Sequence, residues 1–150
     1  MRRSDHQLYN KCVQLFFKRE LAKLKIELSK GNLNQFEKSL LRARLDNLNG
    51  DYQKSLSKLS KSTTSSKYLD AQRYNVLSSI HDKLSSYQKA AVCNHKAINL
   101  YEKICDEEGL YISYLNLSIN YSRLSLKDLF DYAWVKAFSY KRNNLSLIHI

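Results

Sequence analysis

Residues 74–78 read Tyr74-Asn75-Val76-Leu77-Ser78, and forty positions later Tyr114-Leu115-Asn116-Leu117-Ser118 returns the same order of aromatic, leucine and small residue. Ala97 and Ala137 keep that offset downstream. A second match lies at thirty-five: Gly50-Asp51-Tyr52-Gln53-Lys54-Ser55 against Ser85-Ser86-Tyr87-Gln88-Lys89-Ala90. Similarity at such a period means one supersecondary unit used again and again, each copy too thin to bury its own apolar side and sheltered by the next. The apolar spacing within the units is helical. The expectation is an all-α fold, a right-handed α-solenoid of antiparallel helix hairpins with about seven helices.

The rest of the chain agrees with helices joined by short turns. It has 150 residues, three glycines and no proline. At an average usage of about 5% several prolines were due, and sandwiches or barrels would spend them on tight turns. With 43% apolar and 26% charged residues the composition also argues against wholesale disorder. Val13, Phe17, Leu21, Leu24 and Leu28 form one stripe at steps of three and four; Leu41, Leu45 and Leu48 form another, with Phe36, Leu40 and Ala43 beside it. Asn34 followed by Glu37 reads as a capping box. Gly31, Gly50 and Gly109 are read as left-handed stops beyond helix ends, and residues 62–67 as an exposed loop. Helices are expected over 5–30, 33–49, 51–61, 68–84, 86–105, 110–124 and 126–142. The domain plan is an N-terminal helix over 1–32 that caps the stack, a repeat domain over 33–144, and a separate tail over 145–150.

The repeated residues resemble the tetratricopeptide repeat family over about 36–142. The second unit carries Tyr74, Leu77, Ser78, Tyr87, Ala90 and Ala97 in the family's order, and the third carries Tyr114, Leu117, Ser118, Tyr121, Trp134 and Ala137. Close helix approach needs small side chains at the crossing, with bulky ones filling the gaps beside it; Tyr52, Tyr74, Tyr87, Tyr114 and Tyr121 are accordingly expected to pack in the core. The resemblance implies a concave groove lined by the first helix of each hairpin. Helical spacing places Glu37, Leu40, Arg44 and Asn47 on that side of the first hairpin. Gln72, Asn75, Ser79 and Asp82 follow in the second, and Ile112, Leu115 and Ile119 in the third. A polar stretch leading to an apolar one suits a protein or peptide partner with a polar part and an apolar anchor. Leu40 and Val76 stand where a clamp for a chaperone's terminal carboxylate wants polar groups, so that role is not expected.

Charge bears on partners. The formal net charge is +11, of which +9 falls in residues 1–75 and +2 in residues 76–150. An acidic protein partner, a nucleic acid or a membrane face is favoured by such an excess, although solvated helix faces are the plainer account of it. The alternative function is therefore a basic helical-repeat protein binding nucleic acid. Eleven tyrosines add a stacking argument for that alternative, and Tyr74-Asn75 has a superficial likeness to the RNA-reading pentatricopeptide repeats.

Chemistry is hard to find. No phosphate-loop, dinucleotide, zinc-protease or nucleophile-elbow motif is present, so no catalysis is expected. Cys12, Cys93 and Cys105 are odd in number without a C-x-x-C pair, which reads as reduced thiols in the cytoplasm. Cys93 and His95 are two apart on a helix and point to different faces, so no metal or cofactor is expected. The N-terminal residues lack the apolar run of a secretory signal, and nothing is long enough to insert in a membrane. Leu145-Ser146-Leu147-Ile148-His149-Ile150 resemble, in the DNA that would encode them, the mosaic-end adaptor of transposase-made sequencing libraries. The expectation drawn from that tail is a fragment of a larger regulatory or signalling protein, with an adaptor scar at its end.

Overall fold

One joint is used five times. At Lys18-Arg19-Glu20, Asn49-Gly50-Asp51, Leu84-Ser85-Ser86, Ile104-Cys105-Asp106 and Leu124-Ser125-Leu126 the middle residue has a φ between 55° and 84°. In each, the third residue's N–H reaches the carbonyl five residues back and the middle residue's N–H the carbonyl three back, as in Asp51 to Asp46 at 2.8 Å and Gly50 to Asn47 at 3.2 Å. This is the Schellman arrangement, which satisfies carbonyls a helix end leaves orphaned. Only Gly50 among the five is a glycine.

The computed structural model describes residues 2–141. A 3-10 turn, Arg3–His6, leads into α1 (Gln7–Phe17), α2 (Leu21–Ser29), α3 (Gln35–Leu48), α4 (Tyr52–Ser60), α5 (Lys67–Lys83), α6 (Tyr87–Lys103), α7 (Glu107–Arg123) and α8 (Lys127–Lys141). Among the described residues there is no strand, so the fold is all-α. Each short joint turns the chain back, and α3 packs on α4, α5 on α6, and α7 on α8. The pairs are in contact with one another through α3–α5, α4–α5, α5–α7 and, most extensively, α6–α7; α1 packs on α2 and α3. Ala90 and Ala97 in α6 and Ala133 and Ala137 in α8 are wholly buried, where their small size lets the backbones approach. A single apolar core runs from Tyr9, Cys12 and Phe16 through Leu24, Leu40, Leu59 and Ile80 to Leu117.

Several expectations need correction. There are eight α-helices among the described residues rather than about seven, because 5–30 is broken at 18–20. Three successive charged residues there bring nothing to bury, and Arg19 closes the end of α1 with its guanidinium on the Phe16 carbonyl at 3.0 Å and over the Phe16 ring. The buried face of α1 is Tyr9, Cys12 and Phe16, whereas Phe17 of the expected stripe is exposed. Gly50 is left-handed as expected, but Gly31, although past the end of α2, is not, and Gly109 lies inside α7. Of the five tyrosines expected in the core Tyr114 is buried and Tyr52, Tyr74 and Tyr121 are half-buried against it; the wholly buried ones are Tyr9, Tyr68, Tyr101 and Tyr111. Trp134 is 43% exposed. The tail over 145–150 lies outside the described residues.

Candidate functional site

The odd-numbered helices turn one face each toward a cavity of about 330 Å3. Helix α1 supplies Asn10, Val13, Gln14 and Phe17; α3 supplies Arg44 and Asn47; α5 supplies Gln72, Asn75, Ser79 and Asp82; α7 supplies Ile112, Leu115, Asn116 and Ile119. Steps of three and four on every wall put these side chains on single helix faces. The three-four spacing of the sequence groups eleven residues for a groove, and nine of them line this cavity: Arg44, Asn47, Gln72, Asn75, Ser79, Asp82, Ile112, Leu115 and Ile119.

Glu37 does not. It is the third residue of α3, where a carboxylate folds back on the helix start: Oε1 accepts the Asn34 N–H at 3.0 Å while Asn34 Oδ1 accepts the Glu37 N–H at 2.8 Å. Its other oxygen takes His6 Nδ1 at 3.1 Å, and Glu37 is only 8% exposed. Leu40 is also withdrawn into the core. Half of the lining residues outside that set lie at the N-terminus, namely Arg3, Asn10, Val13, Gln14, Phe16 and Phe17, and the rest lie on α5 and α7. The N-terminal signal is present in the sequence, since 10, 13, 14 and 17 share a helix face, but Val13 and Phe17 read there only as members of an apolar stripe.

The first turn positions this wall. His6 holds Glu37 at the start of α3 and, through Nε2, the Ser66 hydroxyl at 3.1 Å, which itself accepts the Leu69 N–H as the N-cap of α5. Arg3 Nε reaches the two oxygens of Asp106, the N-cap of α7, at 3.2 and 3.0 Å, and its Nη1 lies 3.4 Å from Glu108. Two residues, Arg3 and His6, thereby tie together the starts of three helices. Burial alone works against the Arg3 charge, but Tyr68, Asp106, Tyr101 and Glu108 outweigh it and hold the guanidinium charged more firmly than usual.

Beneath the cavity runs a chain of hydrogen bonds centred on Gln72. Its Oε1 accepts the Tyr9 hydroxyl at 3.0 Å and Arg44 Nη2 at 2.9 Å, and its Nε2 donates to Tyr101 at 2.7 Å. Tyr101 donates on to Asn75 Oδ1 at 2.7 Å, and Asn75 Nδ2 to Ser113 at 2.9 Å. Burial pushes the Tyr9, Tyr68 and Tyr101 hydroxyls well above the usual phenol range, so they act as donors. Charge in the cavity is uneven. Arg3 is matched by two carboxylates and Asp82 lies 3.1 Å from Arg123, but Arg44 has no carboxylate within ion-pair distance among the described residues. It rests instead over the Phe17 ring, 5.7 Å from the centroid.

Ser66, His6 and Glu37 form a hydroxyl–imidazole–carboxylate chain, but all three are buried and the Ser66 hydroxyl is engaged as the N-cap of α5. Among the described residues no three His, Cys, Asp or Glu side chains stand where they could hold a metal ion, and no helix is long and apolar enough to cross a membrane. Cys12, Cys93 and Cys105 are unpaired thiols, the first two buried. No family model matches the chain, and no curated protein or solved structure does.

Proposed function

We propose that the chain is a non-catalytic interaction module: a superhelical stack of tetratricopeptide-like hairpins that holds a peptide in the cavity between α1, α3, α5 and α7. The observation that carries this reading is the composition of that cavity. Arg44, an uncompensated cation, stands on one side and Ile112, Leu115 and Ile119 form an apolar wall on the other. All are mounted on helices rather than loops, so the site is preorganised and little ordering entropy opposes binding. The packing of α3/α4, α5/α6 and α7/α8 pairs, each touching the next, supports the stacked arrangement.

The test is a soluble peptide pool, mixed in length and in end-capping, read by native mass spectrometry on wild type and on Ile119→Asp. Ile119 is 41% exposed, so a charge there spoils the apolar wall without unfolding α7. Peptides retained by wild type and lost from Ile119→Asp are the expected result. A pool from which wild type retains nothing, or nothing that Ile119→Asp does not also retain, sinks the reading.

A second reading rests on a different surface. Lys11, Lys18 and Lys25 on α1, α2 and their joint are exposed, and no carboxylate lies in ion-pair reach of them among the described residues. A polyanion bound there would lose affinity steeply with added salt, through counterion release. Failure to bind a single-stranded oligonucleotide at low salt removes this second reading and leaves the first intact.

A further inference from the structure

Helix α8 repeats α6 at the forty-residue offset, so α6 shows what each face of α8 could meet. Ala133 and Ala137 stand at the positions of Cys93 and Ala97, and all four are buried. The next face of α6 is covered by α7. Asn94 donates to Asn120 at 2.7 Å, the Tyr101 ring lies against Gly109, and His95 Nε2 is 2.8 Å from the Tyr121 hydroxyl. On α8 the corresponding residues are Trp134, Lys141 and Val135. Helix α6 packs on α5 before it and α7 after it, whereas α8 has α7 as its one substantial neighbour among the described residues. Ten large apolar side chains are exposed among those residues, and five of them, Leu126, Leu129, Tyr132, Trp134 and Val135, fall within this short stretch. Phe130, Trp134 and Phe138 form an aromatic row along the helix, with ring centroids 5.9 and 4.6 Å apart, and Val135 beside it is 67% exposed.

This face is a poor seat for another stacked hairpin. Where α6 carries Ala90, Ala91 and Asn94, α8 carries Phe130, Asp131 and Trp134. Backbones approach closely over small side chains; here two aromatic rings hold them apart, and a carboxylate would be buried beneath. The charges fit a second copy instead. Residues 127–133 carry Lys127, Asp128 and Asp131, a net −1, and residues 134–141 carry Lys136 and Lys141, a net +2. None of the five has an ion-pair partner among the described residues. A surface with acids at one end and cations at the other is complementary to itself about a two-fold axis. An antiparallel pair of α8 helices centred on Val135 brings Asp131 and Asp128 of one copy within a turn of Lys136 and Lys141 of the other. The chain's excess charge does not oppose this, since +9 of the +11 lies in residues 1–75.

The area is sufficient for a specific but weak pair. At about 150–250 Å2 per aromatic side chain, the exposed parts of the row, Tyr132 and Val135 offer about 400 Å2 of apolar surface per copy. With the charged rim, two copies bury about 1,200 Å2 in all, the lower end for a specific interface.

We infer that the outer face of α8 is an isologous interface on which a second copy of this chain docks, the two α8 helices antiparallel, with Trp134 and Val135 at the centre. None of these residues lines the cavity, so the pair forms with or without a bound peptide.

Trp134 is the chain's one tryptophan, and its emission therefore reports on this face. Sedimentation equilibrium and tryptophan emission of the full chain, followed from low micromolar to near-millimolar concentration, are expected to show a monomer–dimer equilibrium in the micromolar range, with a blue shift as the dimer forms. Val135→Asp should weaken association about thirtyfold or more, the size of a lost interface hot spot, with an unchanged circular-dichroism melt. Asp128→Lys and Lys141→Asp should each weaken it severalfold, and mixing the two variants should restore it, because every cation then meets a carboxylate. The concentration series needs no variant, so a poorly folded Val135→Asp leaves the test standing. A monomer at every concentration overturns the inference; if its tryptophan is already shielded, the chain's own residues cover the face. A dimer that Val135→Asp leaves intact, or a mixture of the charge variants that does not recover, overturns it as well.

Discussion

Gly109 offers the sharpest test of how the cavity floor is built. It is the third residue of α7, with a helical backbone, so composition alone says that alanine would be better there by about 1 kcal/mol. The structure says the opposite. A Cβ at position 109 would fall 2.6 Å from Tyr101 Cγ and closer still to Cδ1 and Cε1 of that ring. The ring is wholly buried, and its hydroxyl is tied to Gln72 and Asn75 at 2.7 Å each. It cannot retreat without giving up both bonds. Overpacking costs about 1–3 kcal/mol, and strained or broken buried hydrogen bonds add about 1–3 kcal/mol more. After the helical gain the expected net loss is about 3 kcal/mol, or roughly 6–12 °C in Tm for a domain of this size. Thermal and urea melts followed by far-ultraviolet circular dichroism measure it. The control is the same change made in a Tyr101→Leu background, where the clash is gone and Gly109→Ala should turn neutral or stabilising. A Gly109→Ala protein as stable as wild type, or the same cost in both backgrounds, would refute the reasoning.

Other consequences are as direct. Ser125 holds a φ of 58° at the α7–α8 joint, where an L residue loses about 1–2 kcal/mol relative to a right-handed one. Against the extra entropy of an unfolded glycine, Ser125→Gly should gain about 0.5–1 kcal/mol in urea melts; a loss would mean the left-handed joint is wrong. Gln72→Leu leaves the Tyr9 and Tyr101 hydroxyls and Arg44 without their acceptor or donor, and should cost about 2–4 kcal/mol, with a cost below 1 arguing against the network. Burial, with Lys89 beside it, pulls the His81 imidazole below its usual 6.5. The unfolded chain therefore takes up that proton first as the pH falls. The associated stability is present above about pH 6.5 and lost below it. His81→Gln should flatten that part of the Tm–pH profile between pH 7.5 and 5.5, and identical profiles for the two proteins would count against it.

Much of the architecture was legible in the residues alone because helices report themselves locally. Absence of proline, apolar steps of three and four, and the stop at Asn49-Gly50 mark out α3 through α8 to within a few residues without reference to any distant group. The same periodicity assembled Arg44 and Asn47, the polar face of α5 and the apolar face of α7, whose members share a cavity in the folded chain. Periodicity, however, says which face of a helix is special and not what that face meets. Whether Val13 and Phe17 belong to a core or a cavity wall depends on where α1 docks. That is decided by Arg3 finding Asp106 and by His6 finding Glu37 and Ser66, pairings between residues far apart in the chain. Glu37 was diverted from the groove by the same contacts. Gly109 is required by a tyrosine on the preceding helix, and the left-handed Arg19, Ser85, Cys105 and Ser125 are tolerated because packing on both sides of each joint outweighs a local cost that propensity would have forbidden. Helix identity is a short-range property of the chain; the docking of α1, and with it the shape of the cavity, is set by long-range contacts that no window of sequence contains.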